Sequence, residues 1–150
     1  MKHLLTAGVL ALAALPVLAS EDIVRIKAAQ DVTATMDALE LAVKGAGANV
    51  FARIDHAGGA ASVGLELAPS QVLIFGNPKL GTPAMQHDAL AGLYLPLKVL
   101  VYQDGDGQVW LAYEDPGEML DDLQGIPAEA KYLGVMRGAL GKLTAKAVGE

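Results

Sequence analysis

The chain has 150 residues, a formal net charge of −6, no cysteine, and 53% hydrophobic residues. That length holds about one domain. An acidic balance with no basic run excludes ordinary nucleic-acid binding, which needs Lys and Arg to displace phosphate counterions, and it repels anionic lipid. Without cysteine there are no disulfides, thiolate zinc sites, iron–sulfur clusters or cysteine nucleophiles.

Met1 to Ala19 reads as a secretory signal: Lys2 and His3 precede an apolar run from Leu4 to Val17, and Val17-Leu18-Ala19 supplies compact residues for cleavage. The run is shorter than the ~20 residues of a bilayer-spanning helix, and Pro16 breaks it. The mature domain is then Ser20 to Glu150, periplasmic or secreted, with no membrane attachment after cleavage.

Glu21 to Ala28 alternates with period two and predicts a strand. Asp31 is a good N-cap for a helix over Val32–Val43, whose Val32, Met36, Leu39 and Val43 share one face; Gly45 and Gly47 end it. Asn49 to His56 is a second strand, with Phe51, Arg53 and Asp55 on one side and Val50, Ala52 and Ile54 on the other. Ala57 to Gly64 reads as a small-residue loop. Gln71 to Phe75 is a continuous apolar run, expected to be a strand buried on both faces. Asn77 to Thr82 reads as a turn, and Pro83 as the first residue of a short helix capped by Thr82.

Beyond Pro96, Leu97–Tyr102 and Val109–Tyr113 form a hairpin around Asp104-Gly105-Asp106-Gly107. A register with Gln103 opposite Gln108 sets Val101 across from Trp110. Pro116–Leu123 is a short helix ended at Gly125, and Pro127 starts the last one. Its stripe is Leu133, Met136, Leu140 and Leu143; Gly134, Gly138 and Gly141 weaken it and imply a closely packed neighbour. Hairpin-linked strands with gathered helices give an α+β fold: one antiparallel sheet of about five strands with helices on one face.

Several strings together resemble the domain-of-unknown-function family 302. They are His56-Ala57, Gly64-Leu65, Phe75-Gly76-Asn77-Pro78-Lys79, Gly81-Thr82-Pro83, Met85-Gln86, Leu95-Pro96-Leu97-Lys98 with Val99 to Tyr102, and Tyr113 before Asp115-Pro116. The resemblance covers roughly Ile23 to Ile126. It implies a fold similar to one repeat of the TATA-box-binding-protein fold and homodimers in at least some members. It implies no agreed activity.

Individual motifs exclude more than they assign. Gly76 to Thr82 has Gly-x4-Gly spacing but puts Lys79 between the glycines, so it is no nucleotide P-loop. Asp104 to Gly107 echoes a calcium loop, but Val109 and Asp115 stand where an EF-hand needs Gly and Glu. Ser62 lacks a nucleophile elbow, adjacent Asp55 and His56 point to opposite strand faces, and no HExxH is present. Glu114-Asp115 and Asp121-Asp122 read as solvated carboxylates.

The expectation is therefore a non-enzymatic domain that binds a small, possibly anionic, ligand without a cofactor and forms a homodimer. Its pocket would draw on Phe51, His56, Phe75, Asn77, Lys79, Thr82 and Met85. In that picture Lys79 and the Thr82–Met85 amides hold the anion, and His56 orients it. The alternatives are a copper or haem site built from His56, Met85 and His87, and a purely structural or partner-binding dimer module.

Overall fold

A computed structural model describes residues 22–149. The signal read at Met1–Ala19 lies outside the described residues. Five strands form one antiparallel sheet: β1 Ile23–Ala28, β2 Asn49–Asp55, β3 Ser70–Gly76, β4 Leu97–Gln103 and β5 Val109–Glu114. The strand order is β1-β5-β4-β3-β2. The first strand therefore closes on the last, and both edges come from the N-terminal half.

Helices α1 (Val32–Gly45) and α5 (Lys131–Val148) pack on each other and cover one sheet face. Asp31 caps α1 as expected, its carboxylate accepting from the Ala34 amide at 2.8 Å. Met36, Leu39 and Val43 of α1 meet Leu133, Met136 and Leu140 of α5 in one core with Leu73, Val99, Val101 and Leu111 of the sheet. Among the described residues neither long helix covers the other face, which presents half-buried Val72, Ile74, Leu100 and Ala112. The apolar run of β3 is consequently buried on one face, at Leu73 and Phe75, and not on both.

The hairpin register differs by one residue from the sequence expectation. Tyr102, not Val101, faces Trp110, and Gln103 faces Val109. Gly107 at φ +81° lengthens the loop, and Asp104 organises it by accepting from the Asp106 and Gln108 amides and from the Trp110 indole at 2.7 Å. The Trp110 bond, helped by the two amides, holds the Asp104 carboxyl below its usual range. Its oxygens are thus engaged in the turn.

Ala57 to Ser62 is not a loop. Residues His56–Ser62 form α2, capped by Asp55 through the Gly58 amide at 2.9 Å, with no buried side chain. Its alanines favour helix, and the cap overrides Gly58 and Gly59. A 3-10 turn at Ala89–Leu93, absent from the sequence expectation, precedes β4. The region from Pro116 is a single turn, α4 (Pro116–Met119), and the last helix starts at Lys131 and not at Pro127.

The α5 glycines do not mark a close approach. A Cβ built at Gly134, Gly138 or Gly141 meets nothing within 4 Å among the described residues. Gly134→Ala and Gly138→Ala are each expected to stabilise the protein, by up to about 1 kcal/mol from helix propensity. Urea unfolding checks this; a loss of stability would show that those faces are occupied.

Asp115 ties α4 to α5. It accepts from Arg137 Nε at 2.6 Å and Nη2 at 2.5 Å, and from the Gly117 amide at 2.8 Å. The Arg137 guanidinium, outweighing partial burial, holds the Asp115 carboxyl below its ordinary value. A carboxyl depressed in the folded state contributes stability that is present above its unfolded pKa and lost as pH falls through the folded one. Thermal melts from pH 6 to pH 2 are expected to show a steeper acid loss for the wild type than for Asp115→Asn. Parallel curves would refute the coupling.

Candidate functional site

The site follows from what happens at one end of β2 and β3. A β-bulge lies between Val50 and Ala52, so two residues of β2 oppose Phe75. The strict alternation read from the sequence fails there. Val50 packs on the core, and Arg53 turns to the helical side, where it bonds Gln71 Oε1 at 2.9 Å and pairs with Asp37 and Glu40 of α1. Burial pulls the Arg53 pKa down, but the bonds to Asp37 and Glu40 outweigh it and leave it above the ordinary value. Phe51, the bulged residue, is left 58% exposed.

At the adjoining end of β3, Asn77 caps α3 (Pro78–His87) by accepting from the Lys79 amide at 3.0 Å. Pro78 occupies the first turn, which suits its missing N–H. The helix thus begins five residues before Pro83, and Thr82 is not its cap. Pro83 sits inside it and leaves the Lys79 carbonyl without its i+4 donor, tolerable because Lys79 is exposed to water.

Between the bulge, α3, the Leu95–Pro96–Leu97 segment and α5 lies a cavity of about 410 Å³. Phe51 forms one wall, Pro78, Leu80, Thr82 and Met85 of α3 another, and Met136 of α5 lines it too. The Leu95–Pro96 peptide on the third side is cis. Gly76 and Gly81 keep space open. A Cβ on Gly81 would sit 3.7 Å from Leu95 Cδ1 and 3.8 Å from Met85 Cε, an ordinary contact that occupies the gap between two lining side chains. None of the lining residues is ionisable; their side-chain polar groups are those of Asn77 and Thr82.

Of the seven residues expected around a pocket, Phe51, Asn77, Thr82 and Met85 line this one. Phe75 is 2% exposed and belongs to the core. Its alternation with Ile74 sends it beneath the sheet. Lys79 is exposed on α3 and does not line the cavity. His56 opens α2 at the opposite end of β2, roughly 17 Å of extended strand from Phe51.

The anion cradle expected at Thr82–Met85 is overturned. Those residues lie inside α3, and the amides at the actual helix start, on Lys79, Leu80 and Gly81, bond Asn77. The set His56, Met85 and His87 does not converge either. Met85 is at the cavity, His56 is at the far end of β2, and His87 Nδ1 lies 3.0 Å from the Tyr132 hydroxyl. No group of three His, Cys, Asp or Glu able to hold a metal occurs among the described residues. Sequence reasoning missed the other lining residues: Gly76, Pro78, Leu80, Gly81, Leu95, Pro96, Leu97 and Met136. Met136 belongs to the apolar stripe of α5, but only the chain's return brings it to the cavity beside α3.

The domain-of-unknown-function DUF302 model matches residues 24–143. The chain belongs to the DUF302 family. A DUF302 protein from Bacillus stearothermophilus, itself described as uncharacterised, has a crystal structure that superposes with a TM-score of 0.76 at 19% identity, covering 85% of this chain and 99% of that one. That likeness carries the α+β fold. The DUF302 chain is also 42% identical over 94 residues to the fluoride-specific ion channel FluC 1 of Brucella suis, covering 63% of this chain and 37% of that protein. Fluoride-specific ion channel FluC 2 of Brucella melitensis matches equally, over 35% of its length. The match therefore spans only about a third of these curated relatives. No helix among the described residues is long and apolar enough to cross a membrane.

Proposed function

We propose that this DUF302 chain is a non-enzymatic, exported binding domain whose ligand is a small molecule held in the cavity between β2, α3 and Leu95–Leu97. The observation that carries this reading is the cavity's wall: apolar, of ligand size at about 410 Å³, and without any ionisable side chain that could serve as acid, base or charged nucleophile. No cofactor enters the proposal. The signal-like leader supports export to the periplasm. The partial match to proteins named as fluoride channels supports reading the domain as a module that also occurs within longer chains.

Native mass spectrometry of Ser20–Glu150, exported and purified without a metal-affinity tag, tests the proposal. A bound organic mass that is lost in Gly81→Leu is the expected result. An equal bound mass in Gly81→Leu, or no small-molecule binding of any kind by either protein, would overturn it.

Self-association is a second reading favoured by a different observation. The sheet face opposite α1 and α5 has an apolar centre at Val72, Leu100 and Ala112, bordered by Arg25, Lys27, Lys98 and Glu114. An apolar centre with a charged rim matches the anatomy of protein interfaces. The same spectra report the subunit count, and a monomer at high micromolar concentration would refute the homodimer.

A further inference from the structure

Resting on the cavity assigned above, we infer that its ligand is an uncharged, mainly hydrocarbon molecule bearing one hydrogen-bond-accepting group, such as a primary amide or an alcohol, and not an anion. Three features carry this. The first is electrostatic. A carboxylate or phosphate entering the cavity would lose water against Phe51, Leu80, Met85, Leu95 and Met136 with no cation lining the wall to compensate it. Lys79, the nearest cation in sequence, lies outside the lining on the exposed side of α3. The helix-start amides that could otherwise meet an anion are bonded to Asn77.

The second feature is the placement of the polar groups. Asn77 uses Oδ1 to cap α3, which leaves its Nδ2 as a donor. Thr82 brings a hydroxyl that can also donate. Both stand on the α3 side, so a ligand would turn a single acceptor toward α3 and lay its hydrocarbon part against Phe51, Pro96 and Met136. The third feature is size and adaptability. About 410 Å³ holds on the order of fourteen non-hydrogen atoms at the ~30 Å³ that a water occupies in the liquid. The thioethers of Met85 and Met136 are polarisable and flexible, and they can follow an alkyl or aromatic outline.

The test compares two ligands of equal length that differ in charge at pH 7. Octanamide and octanoate are titrated separately into the 15N-labelled mature chain, and amide shifts are followed. Octanamide is expected to move the amides of Gly76, Leu80, Gly81 and Leu97 and to bind at least tenfold more tightly than octanoate. Gly81→Leu is expected to abolish those shifts, with Gly81→Ala as a milder variant of undoubted helix propensity if the leucine disturbs folding. Lys79→Ala is expected to leave both titrations unchanged.

Octanoate binding as tightly as octanamide, and weakening in Lys79→Ala, would overturn the neutral-ligand inference while leaving the cavity as a binding site. The same inference falls if an ionised compound is found bound in native spectra and octanamide does not displace it. If neither compound shifts those amides and native spectra carry no ligand, the proposed binding function falls with it.

Discussion

Gly125→Ala is expected to lower the free energy of unfolding by about 3 kcal/mol and the melting temperature by on the order of 10 °C. A Cβ at this position would collide with the His87 carbonyl oxygen and sit 3.1 Å from the His87 carbonyl carbon and 3.0 Å from the Asp88 Cβ. Two of the three obstacles are backbone, at the C-terminus of α3, and cannot rotate away. Relief requires that the segment leading into α5 retreat from α3, and α5 supplies Met136 to the cavity. The variant should therefore lose ligand binding more than a surface substitution of equal stability cost. Chemical denaturation and the octanamide titration together check this. A wild-type Tm would show that the Gly125 segment does not rest on α3.

Met136→Ala is expected to cost about 3 kcal/mol, within the range for truncating a buried methionine. Met136 is 1% exposed, lies in the α1–α5 core and also lines the cavity. Truncation removes its packing against α1 and opens the cavity toward the core. A longer neutral ligand, decanamide, should then gain affinity relative to octanamide. Met136→Leu keeps the volume and should cost less than about 1.5 kcal/mol while leaving the ligand order unchanged. Urea unfolding gives the first quantity and the paired titrations the second. An unchanged preference in Met136→Ala would separate Met136 from the site.

Local physics made much of the fold readable. Asp31 before an apolar stripe defined α1, because a carboxylate cap and a buried face act within a few residues. The five strands were readable from alternation and punctuation, and the antiparallel α+β arrangement from the hairpin connections. The errors lie where two local signals competed. At Asn77-Pro78, both Pro78 and Pro83 could start a helix; the side chain of Asn77 decided for Pro78, and the helix carried Pro83 inside it. At the β4–β5 hairpin, the positive φ of Gly107 and the Asp104 bonds moved the register by one residue. At Phe51 a bulge, which has no fixed sequence signature, replaced regular alternation.

The candidate site was half legible for the same reason. Asn77, Thr82 and Met85 were within reach of sequence reasoning because they sit in the strings that stood out, and Phe51 because it is a large apolar residue on a predicted strand. His56 and Lys79 are expected at the same pocket, yet β2 carries His56 to its far end and Lys79 lies exposed on α3 outside the lining.

Composition and periodicities of two and 3.6 residues made an acidic, cysteine-free α+β domain with its strands and two long helices legible, and specific strings such as Phe75-Gly76-Asn77-Pro78-Lys79 carried the resemblance to its family. Long-range packing was needed to pair β1 with β5, to place both long helices on one sheet face, and to bring Met136, Phe51, Met85 and Pro96 around one cavity. Those residues are separated by tens of positions along the chain. What joins them is the burial of a shared apolar core and one displaced residue in β2, and neither leaves a local pattern to read.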